Sequence, residues 1–337
     1  MKHMLAALAL IFALPIHGAG YHVDRHVAIG GEGGWDYLTM DETLRRLFVS
    51  HGTEVDVVNV VSGKKVASID KLEGVHGIAI AQDLGRGYIS NGRSGMVTVF
   101  ELSTLKRIAD WKATGDNPDA ILYDRASHRL FTFNGRGQNA TVFDAKSGEV
   151  VATIPMEGKP EFAAARGDGT VFVNIEDKNE MAEIDAKNAK VVRRWSLAPC
   201  DSPSGLAYDT KHERLFSVCE NKLMVISDAR AGKVVASVPI GEGTDGAVFD
   251  PKVALAFSAN GADGTITVVR EMTPDKYEVS MTVPTARGAR TIAVDTTSHH
   301  VFVPTAKFGA TPAATPERPR PRPSIEPDTF EVIEVAP

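Results

Sequence analysis

The chain has 337 residues, of which 43% are hydrophobic and 24% charged, a composition typical of a globular protein rather than a disordered or fibrous one. Its formal net charge of −6 argues against general binding of polyanions, because proteins that hold phosphate backbones usually carry a basic excess or a basic stripe. Only 7% of the residues are aromatic, too few for the stacking platforms of single-stranded nucleic-acid binding, so we do not expect nucleic acid as a partner.

The first 20 residues, MKHMLAALALIFALPIHGAG, have the organisation of a secretory signal peptide. Lys2 precedes an apolar run over residues 4–16, and small residues follow around Gly18. The run is shorter than the roughly 20 apolar residues that span a bilayer, and no later segment reaches that length. We therefore expect residues 1–20 to be removed and the mature protein to be periplasmic or secreted, with no membrane span.

From residue 21 onward the sequence repeats one unit, marked by runs such as LFVSHG, YISNG and LFTFNG. The last polar residue of each run defines a slot position, occupied in turn by His51, Asn91, Asn134, Asn174, Cys219, Asn260 and Thr305. Each unit has four short runs rich in Val, Ile and Phe, separated by turn residues, and the period is that of a propeller blade. The pattern predicts an all-β, seven-bladed β-propeller of four-stranded antiparallel blades.

The last unit, from Arg287 onward, contains three strands where the others contain four. Residues 21–29, ahead of the first unit, resemble the end of a blade. We predict that they supply the fourth strand of the last blade, because this pairing removes the open edges of an unclosed ring. Residues 21–337 are thus predicted to form a single domain, and we expect a monomer.

The repeat resembles the YVTN β-propeller family, which includes the secreted bacterial proteins called YncE. The runs that carry the resemblance are YISNG at residues 88–92, with its counterparts, and GIAIAQDLGRG at residues 77–87. The resemblance covers essentially the whole chain after residue 20. It implies an extracytoplasmic binding or scaffold role and no defined activity. The GH…WD signature of WD40 repeats and the CxxCH signature of haem attachment are both absent from the sequence.

Asn occupies four of the slot positions, at Asn91, Asn134, Asn174 and Asn260. Asn tolerates left-handed backbone conformations and caps its own turn with its side chain, so these four residues are expected to hold turns in shape. The first unit has His51 where these four units have Asn.

A second set of polar residues precedes each slot position by one hairpin. In chain order these residues are Asp36, His76, Asp119, Glu161, Ser204, Asp245 and Arg290. The loop that enters the innermost strand and the loop between the second and third strands lie on the same face of a propeller, so both sets are expected at one channel mouth. Such a cluster can bind a cation, hydrogen-bond a polyhydroxyl ligand or shift pKa values, or it can be the solvated lining of a wet channel.

These residues leave two functional interpretations. In the first, the protein is a non-catalytic binding or scaffold propeller whose acid-rich mouth holds a small polar ligand, a cation or a protein partner. In the second, it is a lactonase-like or lyase-like enzyme. The candidates for the base are then His51 and His76, with Glu161 and Asp119 as orienting carboxylates and Arg290 as an anion clamp. No serine triad or GxSxG motif supports the second interpretation.

A divalent metal is the one cofactor that the sequence suggests. Two imidazoles and a carboxylate, from His51, His76 and Asp36, could form a set of three metal ligands. No short HxH or HExxH spacing fixes their geometry, so a surface His with ordinary hydrogen bonds is the alternative.

The two cysteines are predicted to form a disulfide. Cys219 ends the second strand of blade five and Cys200 lies just before the first, so antiparallel pairing brings them to the same end of the hairpin. In an oxidising compartment the bond would close a loop of about 20 residues and stabilise the fold by roughly 3 kcal/mol.

A Pro-rich loop at residues 306–329 is inserted between the second and third strands of the last blade. It contains RPRPRP at residues 318–323 and is expected to adopt extended polyproline II structure. Because it lies on the same face as the acidic residues, we expect it to cover the channel mouth as a basic lid, with Arg318, Arg320 and Arg322 as ligand-binding candidates. The alternative is a surface excursion with no binding role.

Overall fold

The computed structural model of this protein describes residues 20–315, 321 and 323–337. Within these residues, seven separate four-stranded antiparallel sheets form the blades of a propeller, as the repeat predicts. Residues 1–19 of the predicted signal peptide lie outside the described residues, as do Arg318, Arg320 and Arg322.

The strands of the first half are β1 His22–Ala28, β2 Trp35–Asp41, β3 Arg46–His51, β4 Glu54–Asn59, β5 Lys64–Ile69, β6 Val75–Ala81, β7 Arg86–Asn91, β8 Met96–Glu101, β9 Arg107–Lys112, β10 Pro118–Asp124, β11 Arg129–Asn134, β12 Asn139–Asp144, β13 Val150–Pro155 and β14 Pro160–Ala165. The strands of the second half are β15 Thr170–Ile175, β16 Glu180–Asp185, β17 Lys190–Ser196, β18 Pro203–Asp209, β19 Arg214–Cys219, β20 Leu223–Asp228, β21 Lys233–Pro239, β22 Thr244–Asp250, β23 Leu255–Asn260, β24 Thr265–Thr273, β25 Lys276–Pro284, β26 Ala293–Asp295, β27 His300–Thr305 and β28 Glu331–Ala336.

Blades one to six take four consecutive strands each, from β2–β5 to β22–β25. Two single-turn 3-10 helices, Gln82–Leu84 and Glu176–Lys178, are the only helical elements in the described part of the chain. No helix among the described residues is long and apolar enough to cross a membrane.

The core lies between neighbouring blades. Phe48 of blade one and Phe100 of blade two are both fully buried, with ring centroids 5.5 Å apart. The Val-rich and Phe-rich runs alternate across each sheet and so present apolar side chains to the blades on either side. Burying one such aromatic side chain stabilises the fold by roughly 1.5–3 kcal/mol.

The N-terminal strand closes the ring. β1 pairs antiparallel with β28, so blade seven has the order β26, β27, β28, β1. This confirms the prediction that residues 21–29 supply the missing strand. Arg25 of β1 pairs with Glu334 of β28 and also donates to the carbonyl oxygen of Val60 in blade one at 2.9 Å, which ties the closing strand to the neighbouring blade.

Two aromatic side chains meet across the channel. Tyr37 of blade one and Phe162 of blade four have ring centroids 4.4 Å apart. The innermost strands carry Gly at equivalent positions, including Gly77 and Gly205, where an added Cβ would lie 3.2 Å from the Asp119 carbonyl oxygen and 2.7 Å from the Ala247 nitrogen. The small residues let the strands approach closely. Tyr37 lines a cavity with charged walls, whereas Phe162 lines a second cavity whose walls are mostly apolar.

The predicted disulfide is present, with Cys200 and Cys219 bonded and both side chains buried. Cys219 lies opposite Pro203 in the β18–β19 ladder, so the two cysteines are at the same end of that hairpin.

We expect the double substitution Cys200→Ser, Cys219→Ser to lower the free energy of unfolding by about 3 kcal/mol, because the unfolded chain loses its cross-link. Urea unfolding of the native and substituted proteins, both without reductant, measures the difference. Reduced native protein serves as the control and should unfold at the same urea concentration as the variant. Equal unfolding midpoints for the oxidised native protein and the variant would contradict the prediction.

Candidate functional site

The second set of polar residues lies at one mouth of the channel. In blades one to six, each of these residues is the second residue of the innermost strand. Glu161 in blade four also has this position, which confirms its predicted alignment. Arg290 precedes β26 in blade seven. We call Asp36, Asp119, Glu161 and Asp245, together with His76 and Arg290, the acidic ring.

His76 joins the carboxylates of blades one and three. Its Nδ1 lies 2.6 Å from Asp36 Oδ2 and 3.5 Å from Asp119 Oδ1. Burial alone would lower the pKa of His76, but the hydrogen bond to Asp36 and the charges of the neighbouring carboxylates outweigh it and raise the pKa to about 8. His76 is therefore largely protonated at neutral pH.

Arg290 joins the carboxylates of blades six and one. Its Nε donates to Asp245 Oδ2 at 2.9 Å, and its Nη2 lies 3.3 Å from Asp36 Oδ1. The same Nη2 donates to the backbone carbonyl of Trp35 at 3.0 Å. The positive charge of Arg290 is thus balanced by Asp36 and Asp245, so this residue is poorly suited to the predicted role of binding an anion.

Sequence reasoning missed three members of the site, the cavity residue Tyr37 and the ion pair of Lys159 with Glu176. Lys159 Nζ lies 2.7 Å from Glu161 Oε1 and also contacts the carboxylate of Glu176. Glu176 follows the second strand of blade four, while Lys159 precedes Glu161 by two residues in the motif KPEF. A Lys beside a predicted ring carboxylate was the available signal for Lys159.

The acidic ring encloses a cavity of about 420 Å³. Its lining residues are Asp36, Tyr37, Asp119, Lys159, Glu161, Asp245 and Arg290. Since Tyr37 packs against Phe162 across the channel, the cavity has an aromatic floor and an opening at the mouth.

Burial and mutual repulsion raise the pKa values of three carboxylates of this cavity. Burial is the main cause that raises the pKa of Glu161 to about 8, and the charge of Asp119 adds to it. Burial likewise raises the pKa of Asp119 to about 6, against the opposing effect of His76. The pKa of Asp245 is also raised by burial, although Arg290 acts in the other direction.

The site carries more acidic than basic groups. The acidic side chains are Asp36, Asp119, Glu161, Glu176 and Asp245, and their basic partners are His76, Lys159 and Arg290. Each carboxylate lies within ion-pair distance of one of these basic groups, but the basic groups are shared, so the described residues of the site have two more acidic groups than basic ones. This excess of buried negative charge agrees with the raised pKa values, because a proton reduces the cost of burying a carboxylate.

His51 does not join this cavity, contrary to the prediction. Its side chain is buried, and its Nδ1 lies 3.0 Å from Asp56 Oδ2. Its ring packs against that of Phe330 at an interplanar angle of 31°, with centroids 4.2 Å apart. The three groups that approach within 4.8 Å at the mouth are those of Asp36, His76 and Asp119, so the predicted metal set of His51, His76 and Asp36 is wrong in its first member. The same burial removes His51 as a candidate catalytic base.

His51 and Asp56 replace a pair that other blades build from Asn and Thr. Asn91 donates to Thr98 Oγ1 at 3.1 Å, and Asn260 makes the same bond to Thr267 at 2.9 Å. Asp56 and Thr98 occupy equivalent positions in the third strands of their blades. His51 pairs with Glu54 and Asn91 pairs with Met96, and Asp56 and Thr98 each lie two residues beyond that partner. The slot therefore joins the second strand to the third in these blades.

The slot Asn residues stabilise their hairpins by contacts other than the predicted ones. Asn91, Asn134 and Asn260 all have negative φ, so none uses the left-handed conformation. Their side chains bond across the hairpin to the third strand, which still holds the turn in shape.

The slot prediction for blade four is off by one residue. In blade three, the slot residue Asn134 lies opposite Pro118, the first residue of the innermost strand. In blade four, the first residue of that strand is Pro160 and it lies opposite Ile175, so Ile175 is the slot residue. Asn174 faces the other side of the sheet and donates to the Ser204 carbonyl oxygen in blade five at 2.9 Å. A shift of one residue reverses the face on which a strand side chain lies.

The base of the Pro-rich loop lies against blade one. Phe308 and Ile325 form an isolated antiparallel bridge, and the Phe308 ring lies 5.9 Å from that of Trp35, centroid to centroid. Asp328 exchanges two hydrogen bonds with Gly31, each of 3.0 Å. The described part of the loop thus lies beside the acidic ring, while the three arginines of the predicted lid are outside the described residues.

The chain matches no family model, and a search of curated proteins gave no match. Similar solved structures are U3-55K, with a TM-score of 0.75, and the WD40 repeats of RRP9, with 0.76. Each is 11% identical and covers 92% of this chain and 97% of the other. A chain of the mitotic checkpoint complex, 14% identical, covers 99% of both chains with a TM-score of 0.74. These likenesses show the propeller fold alone, and membership of the YVTN family stays a prediction.

We expect the thermal stability of the protein to fall as the pH rises from about 6 to about 9, because the folded state holds protons that the unfolded chain releases. Glu161, with a folded pKa of about 8, and His76, also about 8, both contribute stability that is lost as the pH rises through those values. Melting temperatures across this pH range, for the native protein and Glu161→Gln, measure the effect.

The Glu161→Gln variant should lose less stability over this pH range, since Gln does not titrate. The exposed Glu278, changed to Gln, is the matched control and should follow the native profile. A native profile that rises toward pH 9, or one that Glu161→Gln leaves unchanged, would show that Glu161 does not hold the proton.

A double-mutant cycle tests the exchange of Asn–Thr for His–Asp. The single change His51→Asn should lower the free energy of unfolding by about 1–3 kcal/mol, because it leaves the buried Asp56 carboxylate without its imidazole partner. Adding Asp56→Thr should recover most of the loss. Additive effects of the two changes, measured by urea unfolding, would refute the equivalence of the pairs.

Proposed function

We propose that this protein is a binding propeller that works outside the cytoplasm and holds, at its channel mouth, a ligand that carries an ammonium group. The observation that carries the proposal is the excess of two acidic groups over basic ones around a cavity of about 420 Å³. A cationic ligand supplies the missing charge in place of the bound protons.

The shape of the site favours an organic cation. The cavity volume corresponds to more than ten water molecules at roughly 30 Å³ each, which is larger than a bare metal ion needs. Its carboxylates come from four blades and surround the space rather than meeting at one point. An ammonium group can donate three hydrogen bonds to such separated acceptors.

The ammonium group can belong to a small molecule or to a lysine side chain of a protein partner. Both present the same chemistry at the mouth, and the Tyr37 ring is the uncharged part of the lining that an attached alkyl chain can contact. A location outside the cytoplasm is supported by the buried disulfide and by the signal-peptide pattern of residues 1–20.

A divalent metal is the second candidate ligand. Asp36, His76 and Asp119 offer three ligand atoms within 4.8 Å of one another. Because the pKa of His76 is about 8, a metal has to displace a proton from the imidazole before that nitrogen can coordinate.

Calorimetric titration with 1,4-diaminobutane, with 1,4-butanediol and with Mn²⁺ or Zn²⁺ separates the ligand classes. We expect the diamine to bind and its affinity to rise with pH from about 6 to about 8.5, because cation binding requires ionised carboxylates. The pKa values of about 6 for Asp119 and about 8 for Glu161 set this window. The diol should not bind.

The variants Asp119→Asn and Glu161→Gln should each weaken diamine binding by about tenfold or more, since each removes one charge-assisted hydrogen bond. The control Glu278→Gln, on the outer strand β25, should leave the affinity unchanged. Equal binding of diamine and diol would instead favour a polyhydroxyl ligand. Tight stoichiometric metal binding that Asp36→Asn abolishes, with no diamine binding, would replace the proposal with the metal site.

A further inference from the structure

A second cavity, of about 350 Å³, lies beside the acidic ring where blades six, seven and one meet the base of the Pro-rich loop. Its walls are mostly apolar and include Trp35, Phe308, Pro323 and Ile325. We call it the aromatic pocket. Its volume is in the range of small-molecule sites, which are typically concave and lined by aromatic side chains with a few polar groups.

The aromatic wall of this pocket is held in place from behind. Trp35 Nε1 donates to the Gly288 carbonyl oxygen at 3.2 Å, and the Trp35 ring also stacks on Phe330 with centroids 5.5 Å apart. Gly288 has φ +87°, and an added Cβ there would lie 2.6 Å from the Phe308 ring. Only glycine fits this position, so the backbone packs directly against the two rings.

One guanidinium at the pocket has no acidic partner in the part of the chain that the structure describes. Arg287 is exposed and lies over the Phe308 ring, with its Cζ 5.8 Å from the ring centroid. No carboxylate of the described residues forms an ion pair with it, whereas Arg290, on the other side of the pocket, is paired with Asp245 and Asp36. The free positive charge of the pocket is therefore that of Arg287.

We propose that the aromatic pocket binds an apolar carboxylate, with its body against Trp35 and Phe308 and its carboxylate on the Arg287 guanidinium. A guanidinium pairs with a carboxylate through two parallel hydrogen bonds, and stacking on an aromatic ring orients its planar face. The complementary charge distinguishes this pocket from the acidic ring, which repels anions. The two sites therefore take ligands of opposite charge, and this proposal does not depend on the proposed function.

The chain offers a variant that fills the pocket without disturbing the fold. Gly34 lines the pocket, has no positive φ, and a Cβ added to it meets no atom within 4 Å. The side chain introduced by Gly34→Leu would thus occupy the space in which the ligand body lies. Its melting temperature, compared with that of the native protein, verifies that the fold is kept.

Three naphthalene probes of one shape and different charge test the assignment: 2-naphthoate, 2-naphthalenemethanol and 2-naphthylmethylammonium. Their affinities are measured by calorimetry on the full chain, with ligand-observed NMR for weak binding. We expect 2-naphthoate to bind most tightly, and Arg287→Gln to weaken it by about tenfold while leaving the alcohol unchanged. Gly34→Leu should abolish binding of both.

The exposed Arg270, changed to Gln, is the matched control and should not alter naphthoate binding. The proposal is overturned if naphthoate shows no binding, if the alcohol or the ammonium binds as tightly, or if Gly34→Leu leaves the affinity unchanged. Saturating 1,4-diaminobutane should leave the naphthoate affinity within a few-fold. If the diamine does not bind while naphthoate binding is as expected, the proposed function is wrong and the assignment of the aromatic pocket still holds.

Discussion

The pairing of β1 with β28 is the interaction on which the rest of the structure depends. It places residues 22–28 on the outer edge of blade seven and so fixes blade seven against blade one. Phe330, next to β28, then packs on both His51 and Trp35. Both cavities adjoin this junction, because Arg290 reaches Asp36 across it and Trp35 forms a wall of the aromatic pocket. An unclosed ring would also expose the backbone of β28 as an open edge.

Closure of the ring of blades brings equivalent positions of the repeats together at the channel mouth. Residues that are one unit apart in the chain occupy the same position in successive innermost strands, so their side chains converge on the channel mouth. Four carboxylates converge there above the Tyr37–Phe162 pair, which separates the mouth from the lower channel. Burial then makes their charge costly, and protons or a cationic ligand reduce that cost. The fold thus concentrates negative charge at the channel mouth, and the proposed cationic ligand neutralises it.

Sequence periodicity was sufficient to predict the blades, the closing strand, the disulfide and the acidic ring, because each follows from where a residue stands in its repeat. It failed where one residue of register decides the outcome. Asn174 is such a case, because its ladder is shifted and Ile175 takes the slot position. His51 keeps the slot position, but the slot side chains bond across the hairpin to the third strand and do not face the channel mouth. Lys159 and Tyr37 occur in single blades, so no repeat could identify them as part of the site.

In the proposed function, a cation takes the place of protons in the acidic ring. The most direct test is calorimetric titration of the protein with 1,4-diaminobutane near pH 7, in two buffers of different ionisation enthalpy. We expect net release of protons to the buffer, because the bound cation lowers the pKa of Glu161 and of His76, both about 8 in the free protein. Binding with no proton exchange, or with proton uptake, would contradict it.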